Sequence, residues 1–480
     1  MFNSIQHFFN NGLKELEEKT VRFADDPTKL AEYVYGVTDA VTSLGLCMIA
    51  EQLESFDEKI RNSQARKKTW EIIRRDETTL LTSLGPVKYR KTYYRHKKRD
   101  ERVYLLDRLM GIDPHTRVSE DAFAKALEEA VDSSYRKGGE KACITEDVIS
   151  KQAVMTKLHT LEFPPLPKAE ELKKNEYLYI DADEDHVALQ FLRDKGEPKE
   201  KGKRRSAMAK LVYLYEGINA ENGRDELVSK VHFGGLYEGS KGNEKLWKEV
   251  DSYIRSHYDV NCIKKIYING DGAEWIKSGT TYIPGSVFVL DKFHMHKYII
   301  KATSHLGDGT EQARSDLYRA IEKKDRKLTK AVFDAIVKSS GDEHRSKVLG
   351  AEEYIMNNWA GIKRQVRTTD PDLRCSAEGH VSHVYSDRLS SRPLGWCKLG
   401  VDKMARLRVY RENKQSMLEL VRYQRTEKAA GLEEIKFSSA DINDDLARQR
   451  AALGQLYGTK LYTLPDHIKK AAGIRLRLRF

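Results

Sequence analysis

Apolar and polar residues change their spacing along the chain, and each change predicts a different element. Over residues 1–75 the apolar positions recur every three or four residues, as in LCMIAEQLESF, which is typical of amphipathic helices. From Thr78 the pattern changes to TTLLTSLG and VKYRKTYYRHKK, two runs rich in threonine, valine and tyrosine, with Gly85-Pro86 between them as a turn signal. We therefore expect an N-terminal helical region over 1–75 and a β-hairpin region over 76–117.

Residues 118–162 contain two helical stretches that fit a helix-turn-helix DNA-binding unit. The first is DAFAKALEEAVDSSY; Gly138-Gly139 then interrupt the pattern, and ITEDVISKQAVMTKLHTL contains the second. Ser150 is a suitable N-cap for the final helix, whose first turn would present Lys151 and Gln152, residue types able to reach base edges or phosphates. A plain helical hairpin fits the same residues, so this segment alone leaves both interpretations open.

The segment beyond a proline-rich linker has the element order of a layered α/β protein. Three prolines in LEFPPLPKAEELKKN predict a linker over 163–174. After it, the patterns predict the order β-β-β-α-β-α-β-α, from the strand EYLYIDADEDHVALQFL to SVFVLDKFHMHKYIIKA, a strand that runs into a helix. Three antiparallel strands followed by parallel strands with crossover helices are the succession expected of a ribonuclease-H-like fold.

We therefore expect a mixed α/β (α+β) chain with a ribonuclease-H-like catalytic core and N-terminal DNA-binding units. The pattern is helical from about 310 to 370, after the sheet is complete, which predicts a helical insertion into the core. The expected regions are an N-terminal helical region 1–75, a β-hairpin region 76–117, a helix-turn-helix-like unit 118–162, a linker 163–174, the first part of the core 175–305, the helical insertion 306–372, and core completion with a basic C-terminal helical region 373–480.

The composition favours a polyanionic partner. Lysine and arginine number 84 against 73 acidic residues, a net charge of +11, and nucleic acid is the leading candidate, although a solvated basic surface would give the same balance. The 5 cysteines are scattered and never form a CxxC pair, which argues against a disulfide framework or a zinc finger and fits a reducing cytoplasm. About 18 uncharged apolar residues never run together, so we expect neither secretion nor a membrane span.

Four acidic residues, Asp181, Asp183, Glu184 and Asp185, lie within five positions of the otherwise apolar strand LYIDADEDHVAL. Because side chains alternate along a strand, the three aspartates share one face, and Glu184 points to the other. Buried carboxylates of this kind require a cation, although a polar strand end at the surface would also explain the cluster. All three aspartates could bind a metal, and the pattern does not rank them.

Two further aspartates follow predicted strands. Asp271, with Gly272 after it, stands at the carboxyl end of IYING, where open α/β sheets bind their ligands, but Asp-Gly is also an ordinary turn. Asp291 and His294 lie at a strand-to-helix junction, where their spacing could bring both near the same site. A helix N-cap with an incidental histidine fits that pair equally well.

Glu378 lies in CSAEGHVSHVYSDRLSSRPLGW, after the predicted insertion, and is followed by Arg388 and Arg392. A glutamate near arginines suits a site at which metal and phosphate meet. Carboxylates matter here because two magnesium ions about 3.5 to 4 Å apart, bound by hard oxygen ligands, can catalyse hydrolysis or transfer of a phosphodiester. Other candidate phosphate contacts, each of which could also be plain solvated surface, are Lys201, Lys203, Arg204, Arg205 and the tail RLRLRF.

Together these motifs resemble the DDE transposases of bacterial insertion sequences in the Lre-two group, long catalogued as an uncharacterised protein family. The resemblance covers nearly the whole chain and rests on TSLGPVKYRKTYY, YLLDRLMGIDPHTRVS, YLYIDADEDHVALQ, INGDGAEWIK, LDKFHMHKYI and AEGHVSHVYSDRLSSRPLGW. The chain is more distantly similar to Mutator-type transposases, which share the layout of an Asp, a second Asp-Gly, a D-x-x-H motif, a helical insertion and a glutamate.

The resemblance implies catalytic and metal-binding roles for Asp183, Asp271 and Glu378, and a catalytic role for His294 in the D-x-x-H motif. It also implies two Mg²⁺ ions, which Mn²⁺ could replace. Asp181 departs from the family pattern, in which a glutamate or a neutral residue is expected there. Asp181 therefore stays an alternative to Asp183 as the first metal ligand.

The implied activity is that of a transposase: it binds terminal inverted repeats, cuts DNA to free a 3′ hydroxyl, and joins that hydroxyl to target DNA. Because two element ends must be paired, a homodimer or a higher oligomer on DNA is expected, in the bacterial cytoplasm and associated with the nucleoid. Two alternatives keep the same core. One is a catalytically inactive DNA-binding protein derived from a transposase, and the other is a nuclease without strand transfer.

Overall fold

The computed structural model describes residues 3–190, 206–219, 226–367, 373, 377–392 and 395–426. These residues form two compact units. The first comprises the described residues up to Leu127, Tyr135–Val154 and residues 424–426, and the second comprises Glu128–Ser134 together with Met155–Tyr423. The predicted linker 163–174 falls within the second unit.

Both units contain helices and strands. The helices are α1 Asn3–His7, α2 Leu13–Asp25, α3 Leu30–Asn62, α4 Gln64–Thr69, α5 Leu105–Met110, α6 Glu120–Ala130, α7 Tyr135–Glu140, α8 Lys151–Thr160, α9 Gly239–His257, α10 Glu274–Lys277, α11 Gly279–Tyr282, α12 Lys292–Thr303, α13 Thr310–Glu322, α14 Arg326–Ser339, α15 Asp342–Asn357, α16 Trp359–Arg367, α17 Ala377–Val381, α18 Asp387–Leu389, α19 Lys398–Glu412 and α20 Met417–Thr426. The strands are β1 Trp70–Thr82, β2 Gly85–His96, β3 Arg102–Tyr104, β4 Tyr177–Ala188, β5 Ser206–Tyr215, β6 Gly217–Asn219, β7 Glu226–Val228, β8 Val231–Gly235, β9 Lys265–Gly270 and β10 Ser286–Leu290.

The first unit contains the predicted β-hairpin within a 3-stranded antiparallel sheet of order β1-β2-β3. Thr82 pairs with Gly85, so the two residues between them form the turn and Gly85 already belongs to β2. β1 begins at Trp70, and the helical prediction is therefore wrong for Trp70–Arg75. Trp70 pairs with His96, and a pairing between residues so far apart in sequence leaves no trace in the local periodicity.

Helix α3 packs on this sheet and carries a buried carboxylate. Ile60 joins Tyr89 and Tyr94 of β2 in one buried apolar cluster. Asp57 is fully buried and accepts from the amide of Thr92 at 2.8 Å and from its hydroxyl at 2.7 Å. Because both carboxylate oxygens have donors, Asp57 fixes the helix to the hairpin without leaving a buried group unsatisfied.

One helix in the described part of the chain is long and apolar enough to cross a membrane by length and composition. It is Pro27–Asn62, with an 18-residue window of mean hydropathy 1.3. The sequence pattern predicted no such segment, because charged residues such as Asp39 interrupt its apolar positions. Its C-terminal half contributes Leu53, Phe56 and Ile60 to the apolar cluster on the hairpin, so that half is part of the core of the first unit.

Two adjacent glycines were predicted to interrupt a helix, but α7 runs through Gly138 and Gly139. A Cβ added at Gly139 would lie 1.9 Å from the carbonyl oxygen of Ile149, so this glycine allows two backbone segments to approach closely. Ser150 caps α8 as predicted, because its hydroxyl accepts from the amide of Ala153 at 3.2 Å.

The second unit is built on a 5-stranded sheet of order β10-β9-β4-β5-β8. β4 pairs antiparallel with β5, and β5 pairs antiparallel with β8. β4 pairs in parallel with β9, and β9 pairs in parallel with β10. The expected mixed α/β class is confirmed, and the short hairpin β6–β7 is an addition that the sequence pattern did not predict.

The two faces of this sheet have different partners. On one face Leu178, Ile180 and Ala182 of β4 belong to a large apolar core. On the other face Tyr179 of β4 and Tyr213 of β5 form a smaller cluster of aromatic rings. The strand β4 therefore separates an apolar side from a side where tyrosine hydroxyls can donate to carboxylates.

Helices α13 to α16, the predicted insertion, pack into the large core rather than forming a separate core. Leu317, Phe333, Ile355 and Ile362, one from each helix, are buried in the same cluster as the strand residues. Helix α16 also covers the edge of β10, where Arg364 Nη1 donates to the carbonyl of Phe288 at 3.1 Å. The insertion thus completes the layer of helices over one face and one edge of the sheet.

Candidate metal and nucleic-acid site

The acidic residues of β4 are positioned by the parallel pairing of β4 with β9. In this register Asp181 lies opposite Asn269. Two residues further along β4, Asp183 lies on the same face as Asp181, and Asp271 lies in the turn that directly follows β9. This is the carboxyl end of β9, where open α/β sheets bind their ligands.

Asp183 is partly buried, and the charge of Asp271 acts on it. Burial is the main cause that raises the pKa of Asp183 to about 7, and the charges of Asp271 and Glu184 raise it further. The amide of Glu184 donates to Asp183 Oδ1 at 2.8 Å and lowers the pKa in part. Two carboxylates held together and partly out of water favour a cation between them.

Asp181 is more deeply buried, and its carboxylate already has several donors. The hydroxyl of Tyr213 donates to Oδ2 at 2.8 Å, and the amide of Asn269 donates to Oδ1 at 2.7 Å. The hydroxyl of Tyr215 donates to Oδ1 at 3.4 Å. These donors satisfy the carboxylate without a metal ion and join β4 to both of its neighbouring strands.

Asp271 lies in a tight turn between β9 and α10. Its Oδ1 accepts from the amide of Ala273 at 2.8 Å, so the side chain closes the turn with one of its two oxygens. Gly272 has a φ of +91°, a conformation that favours glycine. The Asp-Gly turn and the candidate ligand are therefore the same feature, not alternatives.

Asp291 and His294 fit both interpretations of their sequence pattern, a helix N-cap and a pair near the candidate site. Asp291 is the N-cap of α12, with Oδ1 accepting from the amide of Phe293 at 3.0 Å. Its Oδ2 lies 3.0 Å from His294 Nδ1, and this hydrogen bond is the main cause that raises the pKa of His294. The charges of Asp271 and Asp183 raise it further, which places His294 in the field of the carboxylate pair.

The remaining two acids of β4 have partners of their own. Glu184 points to the opposite face, as predicted, where Trp275 Nε1 donates to it at 2.5 Å. Asp185 Oδ1 accepts from the hydroxyl of Ser390 at 2.8 Å. Burial raises the pKa of both carboxyl groups. Asp185 thus connects β4 to the segment that follows α18.

Glu378 lies in α17, and its side chain is outside the described part of the structure. The helix is placed by His380, whose ring stacks on Tyr213 at 4.3 Å between centroids. Tyr213 also donates to Asp181, so α17 lies over the face of the sheet from which the aspartates project. Among the described side chains, no group of three or more His, Cys, Asp and Glu residues could hold a metal ion.

A cleft of about 330 Å³ opens where α10, α11, β10 and α16 meet. Its lining includes Lys277, Ser286 and Arg364, which supply two positive charges and a hydroxyl group. Asn358 also lines the cleft, and its Oδ1 would lie 2.4 Å from a Cβ added at Gly272. Through Asn358 the cleft therefore borders the turn that carries Asp271.

The residues predicted to contact DNA are dispersed. Lys151 and Gln152 lie exposed in the first turn of α8, and Arg392 is exposed. Arg388 is buried, donates to the carbonyl of Ala130 at 3.2 Å and stacks over Trp396 at 4.7 Å, which argues against a phosphate contact. The predicted residues Lys201, Lys203, Arg204, Arg205 and the tail RLRLRF lie outside the described residues.

Sequence reasoning missed the groups that hold the carboxylates in place. Tyr213 and Asn269 belong to predicted strands, and only the register reveals that both donate to Asp181. Tyr354 of α15 donates from its hydroxyl to the carbonyl of Asp271. No local pattern could have indicated this contact, because 83 residues separate the two partners.

These features define a mixed α/β protein with a pair of neighbouring carboxylates at the end of a parallel strand pair. The family model described as "Uncharacterised protein family (UPF0236)" matches residues 23–427, and the chain therefore belongs to this family.

Similar proteins come from Caldanaerobacter subterraneus subsp. tengcongensis. UPF0236 protein TTE2489 is 38% identical over 412 residues, which are 85% of this chain and 84% of that protein. A second relative is 38% identical over 387 residues, which are 80% of this chain and 78% of that protein. The name of this second relative joins eleven designations, from TTE0033 to TTE2212.

A solved structure with a weak likeness is the Drosophila P element transposase strand transfer complex. The TM-score is 0.23 at 9% sequence identity, and the match covers 64% of this chain and 80% of that chain. A likeness at this level carries no argument about fold or function.

Proposed function

We propose that the chain is a transposase of a bacterial insertion sequence that cuts and joins DNA at a site formed by Asp183, Asp271 and Glu378. The observation that carries this proposal is the parallel pairing of β4 with β9, which brings the turn after β9 close enough to β4 for the charge of Asp271 to act on Asp183. A ribonuclease-H-like core is part of the proposal. Its support is the sheet order β10-β9-β4-β5-β8. Along the chain, the antiparallel strands β4, β5 and β8 come first, and β9 and β10, which are parallel to β4, follow.

The carboxylate pair fits Mg²⁺, which prefers hard oxygen ligands and keeps several of its waters. Asp183 and Asp271 would hold two ions, with Glu378 as a further ligand because α17 lies over the same face of the sheet. When bound, two such ions activate an attacking oxygen and stabilise a leaving oxygen at a phosphodiester. Mn²⁺ would replace Mg²⁺ at the same ligands.

Asp181 has a supporting role in this proposal. Its carboxylate is occupied by Tyr213, Tyr215 and Asn269, and these donors hold β4 in register with β5 and β9. Asp183 is the better first ligand because its charge is disfavoured by burial and by Asp271, and a cation would relieve both.

His294 is proposed to bind the phosphate that reacts. Asp291 accepts from Nδ1, which orients the ring and leaves Nε2 for another partner. Because Asp291 raises the pKa of His294, the protonated ring can donate from Nε2 to a phosphate oxygen. Asp291, the N-cap of α12, thereby orients His294 at the carboxylate pair.

The names of the relatives support a mobile element. One protein of a single organism carries eleven designations. We interpret the eleven designations as copies of one gene, which is the pattern that a transposable element leaves in a genome. The same inference is applied to this chain through its membership of the family.

The proposed partner is DNA, both the terminal inverted repeats and the target. The cleft lined by Lys277 and Arg364 is proposed to take a strand next to the carboxylate pair, and the exposed first turn of α8, with Lys151 and Gln152, is proposed to contact the repeats. Since two element ends must be paired, a homodimer or a higher oligomer on DNA is proposed as the active form.

The test is an assay of the full-length protein with Mg²⁺ on labelled duplexes that end in the inverted repeats flanking its gene. The proposal expects a nick at the repeat end and covalent joining of that end to a target plasmid. Asp271→Asn is expected to abolish both products. Asp308→Asn, a change at an exposed aspartate in a surface turn, is the matched control and should retain both.

Each alternative gives its own result. Cleavage without joined products would identify a nuclease without strand transfer. Specific binding to the repeats with no cleavage would identify an inactive DNA-binding protein derived from a transposase. Full joining by Asp271→Asn would contradict the proposed site itself.

A further inference from the structure

The turn that carries Asp271 is held by a helix of the insertion as well as by its own strand. Its side chain closes the turn by accepting from the amide of Ala273 at 2.8 Å. The carbonyl of Asp271 accepts from the hydroxyl of Tyr354 near the end of α15. The side chain and the backbone carbonyl of Asp271 are thus held by two separate hydrogen bonds.

A second residue of the same helix end lies against the turn. Asn358 is buried, and its Nδ2 donates to the carbonyl of Tyr354 at 2.9 Å. A Cβ at Gly272 would lie 2.4 Å from Asn358 Oδ1, so the turn and the asparagine pack without spare room. Asn358 Oδ1 has no hydrogen-bond partner within the described residues. Its place is therefore set by the hydrogen bond to Tyr354 and by packing against the turn.

Tyr354 is itself oriented by α12. Its ring stacks on Tyr298 with 3.6 Å between the centroids and an angle of 7° between the planes. Helix α12 is capped by Asp291 and carries His294, which lies in the field of the carboxylate pair. One stacked pair of rings therefore joins the helix that carries His294 to the turn that carries Asp271.

We propose that Tyr354 and Asn358 are positioning residues that hold the Asp271–Gly272 turn in the geometry needed to bind a metal ion. This inference rests on the proposed function, because it assumes that Asp271 is a metal ligand. The helical insertion then has a role at the metal site in addition to its packing role. Neither residue contacts the reacting atoms, and each acts through the backbone of the turn.

The test measures Mn²⁺ binding to the full-length protein by electron paramagnetic resonance, beside thermal unfolding of the same samples. Tyr354→Phe keeps the stacked ring and removes only the hydroxyl donor, and it should weaken Mn²⁺ binding about 10-fold, the lower end of the range for residues that orient metal ligands. Tyr318→Phe removes another hydroxyl of the insertion, which contacts His296 at 3.0 Å, and should bind Mn²⁺ as the natural protein does.

Gly272→Ala is a second, independent change. The added Cβ would displace either Asn358 or the turn, and the φ of +91° would strain it, so Mn²⁺ binding should weaken as in Tyr354→Phe. If both variants fold and bind Mn²⁺ as tightly as the natural protein, the inference is wrong although the proposed site stands. If the natural protein binds no Mn²⁺ that depends on Asp271, the proposed function fails, and this inference fails with it.

Discussion

The side-chain amide of Asn269 donates to Asp181 at 2.7 Å across the parallel pair β4 and β9. This contact marks the register that sets the candidate site, because Asp183 lies two residues further along β4 and Asp271 lies in the turn that follows β9. The two aspartates of β4 therefore have different roles. Asp181 is stabilised by its donors, whereas Asp183 is destabilised by burial and by the charge of Asp271.

Replacing each of these aspartates by asparagine should change stability in opposite directions. In metal-free protein at pH 8, Asp181→Asn should lower the free energy of unfolding by roughly 1 to 3 kcal/mol, because an amide cannot accept from all the donors that the carboxylate accepts from. Asp183→Asn should raise it by about 1 kcal/mol or more, because the charge is disfavoured there. Urea unfolding with EDTA measures both. Destabilisation by both changes would contradict the division of roles.

Metal binding should also distinguish these two variants, and here Asp183→Asn should be the impaired one. Asp183→Asn should lose Mn²⁺ binding, and Asp181→Asn should retain it in whatever fraction stays folded. The reverse result would make Asp181 the first ligand, the alternative that the sequence left open.

Gly139 should be among the least replaceable residues of the first unit. Gly139→Ala would place a Cβ 1.9 Å from the carbonyl oxygen of Ile149, and backbone atoms on both sides of the contact have to shift. We expect a loss of roughly 3 kcal/mol or more, read from the midpoint of thermal unfolding.

Gly350, exposed in the middle of α15, provides the matched control for that substitution. A Cβ there meets nothing within 4 Å, so Gly350→Ala should stabilise the protein by about 0.5 to 1 kcal/mol through helix propensity. Equal effects of the two substitutions would show that the close approach at Gly139 does not limit stability.

The elements of the second unit could largely be predicted from the sequence, because each follows a local period. The alternation in LYIDADEDHVAL predicts that Glu184 points to the face opposite the aspartates, and it does. The segment IYING predicts a strand that ends at the turn carrying Asp271, and β9 ends there. The register between these strands could not be predicted, since it depends on pairing residues that are far apart in the chain. For the same reason the donors to Asp181 were missed.

Two errors in the first unit have a similar origin. Trp70–Arg75 looks helical by its own residues and becomes a strand only by pairing with β2. Gly138 and Gly139 look like a helix break, yet both belong to α7, and at Gly139 the backbone of Ile149 lies where a side chain would be. In both segments tertiary contacts override the local preference.

His232 of β8 should make the protein sensitive to acid. Its ring is buried, and neither ring nitrogen has a hydrogen-bond partner within the described residues. Burial, followed by the charges of Lys230 and His380, lowers its pKa to about 3. Below pH 6.5 the unfolded chain therefore binds a proton that the folded chain does not, and stability falls as the pH falls from 6.5 towards 3.

His232→Leu should remove this dependence. The difference in free energy of unfolding between the natural protein and the variant should change by about 1.4 kcal/mol for each pH unit between pH 6 and pH 4, in favour of the variant at lower pH. Urea unfolding at several pH values measures it. His383→Gln, a change at a histidine whose side chain is 85% exposed, should leave the natural slope in place. Parallel curves for His232→Leu and the natural protein would refute the prediction.

The cleft beside Asp271 should contribute to DNA binding through Lys277 and Arg364. Replacing both by glutamine removes two positive charges at one place, and we expect binding to repeat DNA to weaken about 10-fold near 0.1 M salt. The slope of log affinity against log salt should become shallower by about 1 to 2, because fewer counterions are released. Fluorescence anisotropy over a salt series measures both quantities.

The control for that variant removes the same net charge elsewhere in the second unit. Arg326 and Lys338 lie exposed at the two ends of α14, and replacing both by glutamine keeps the cleft intact. If DNA follows the cleft, this control should bind more tightly than the cleft variant and keep a steeper salt slope. If both double variants weaken binding equally, DNA responds to the overall charge of the protein, and the strand does not lie in the cleft.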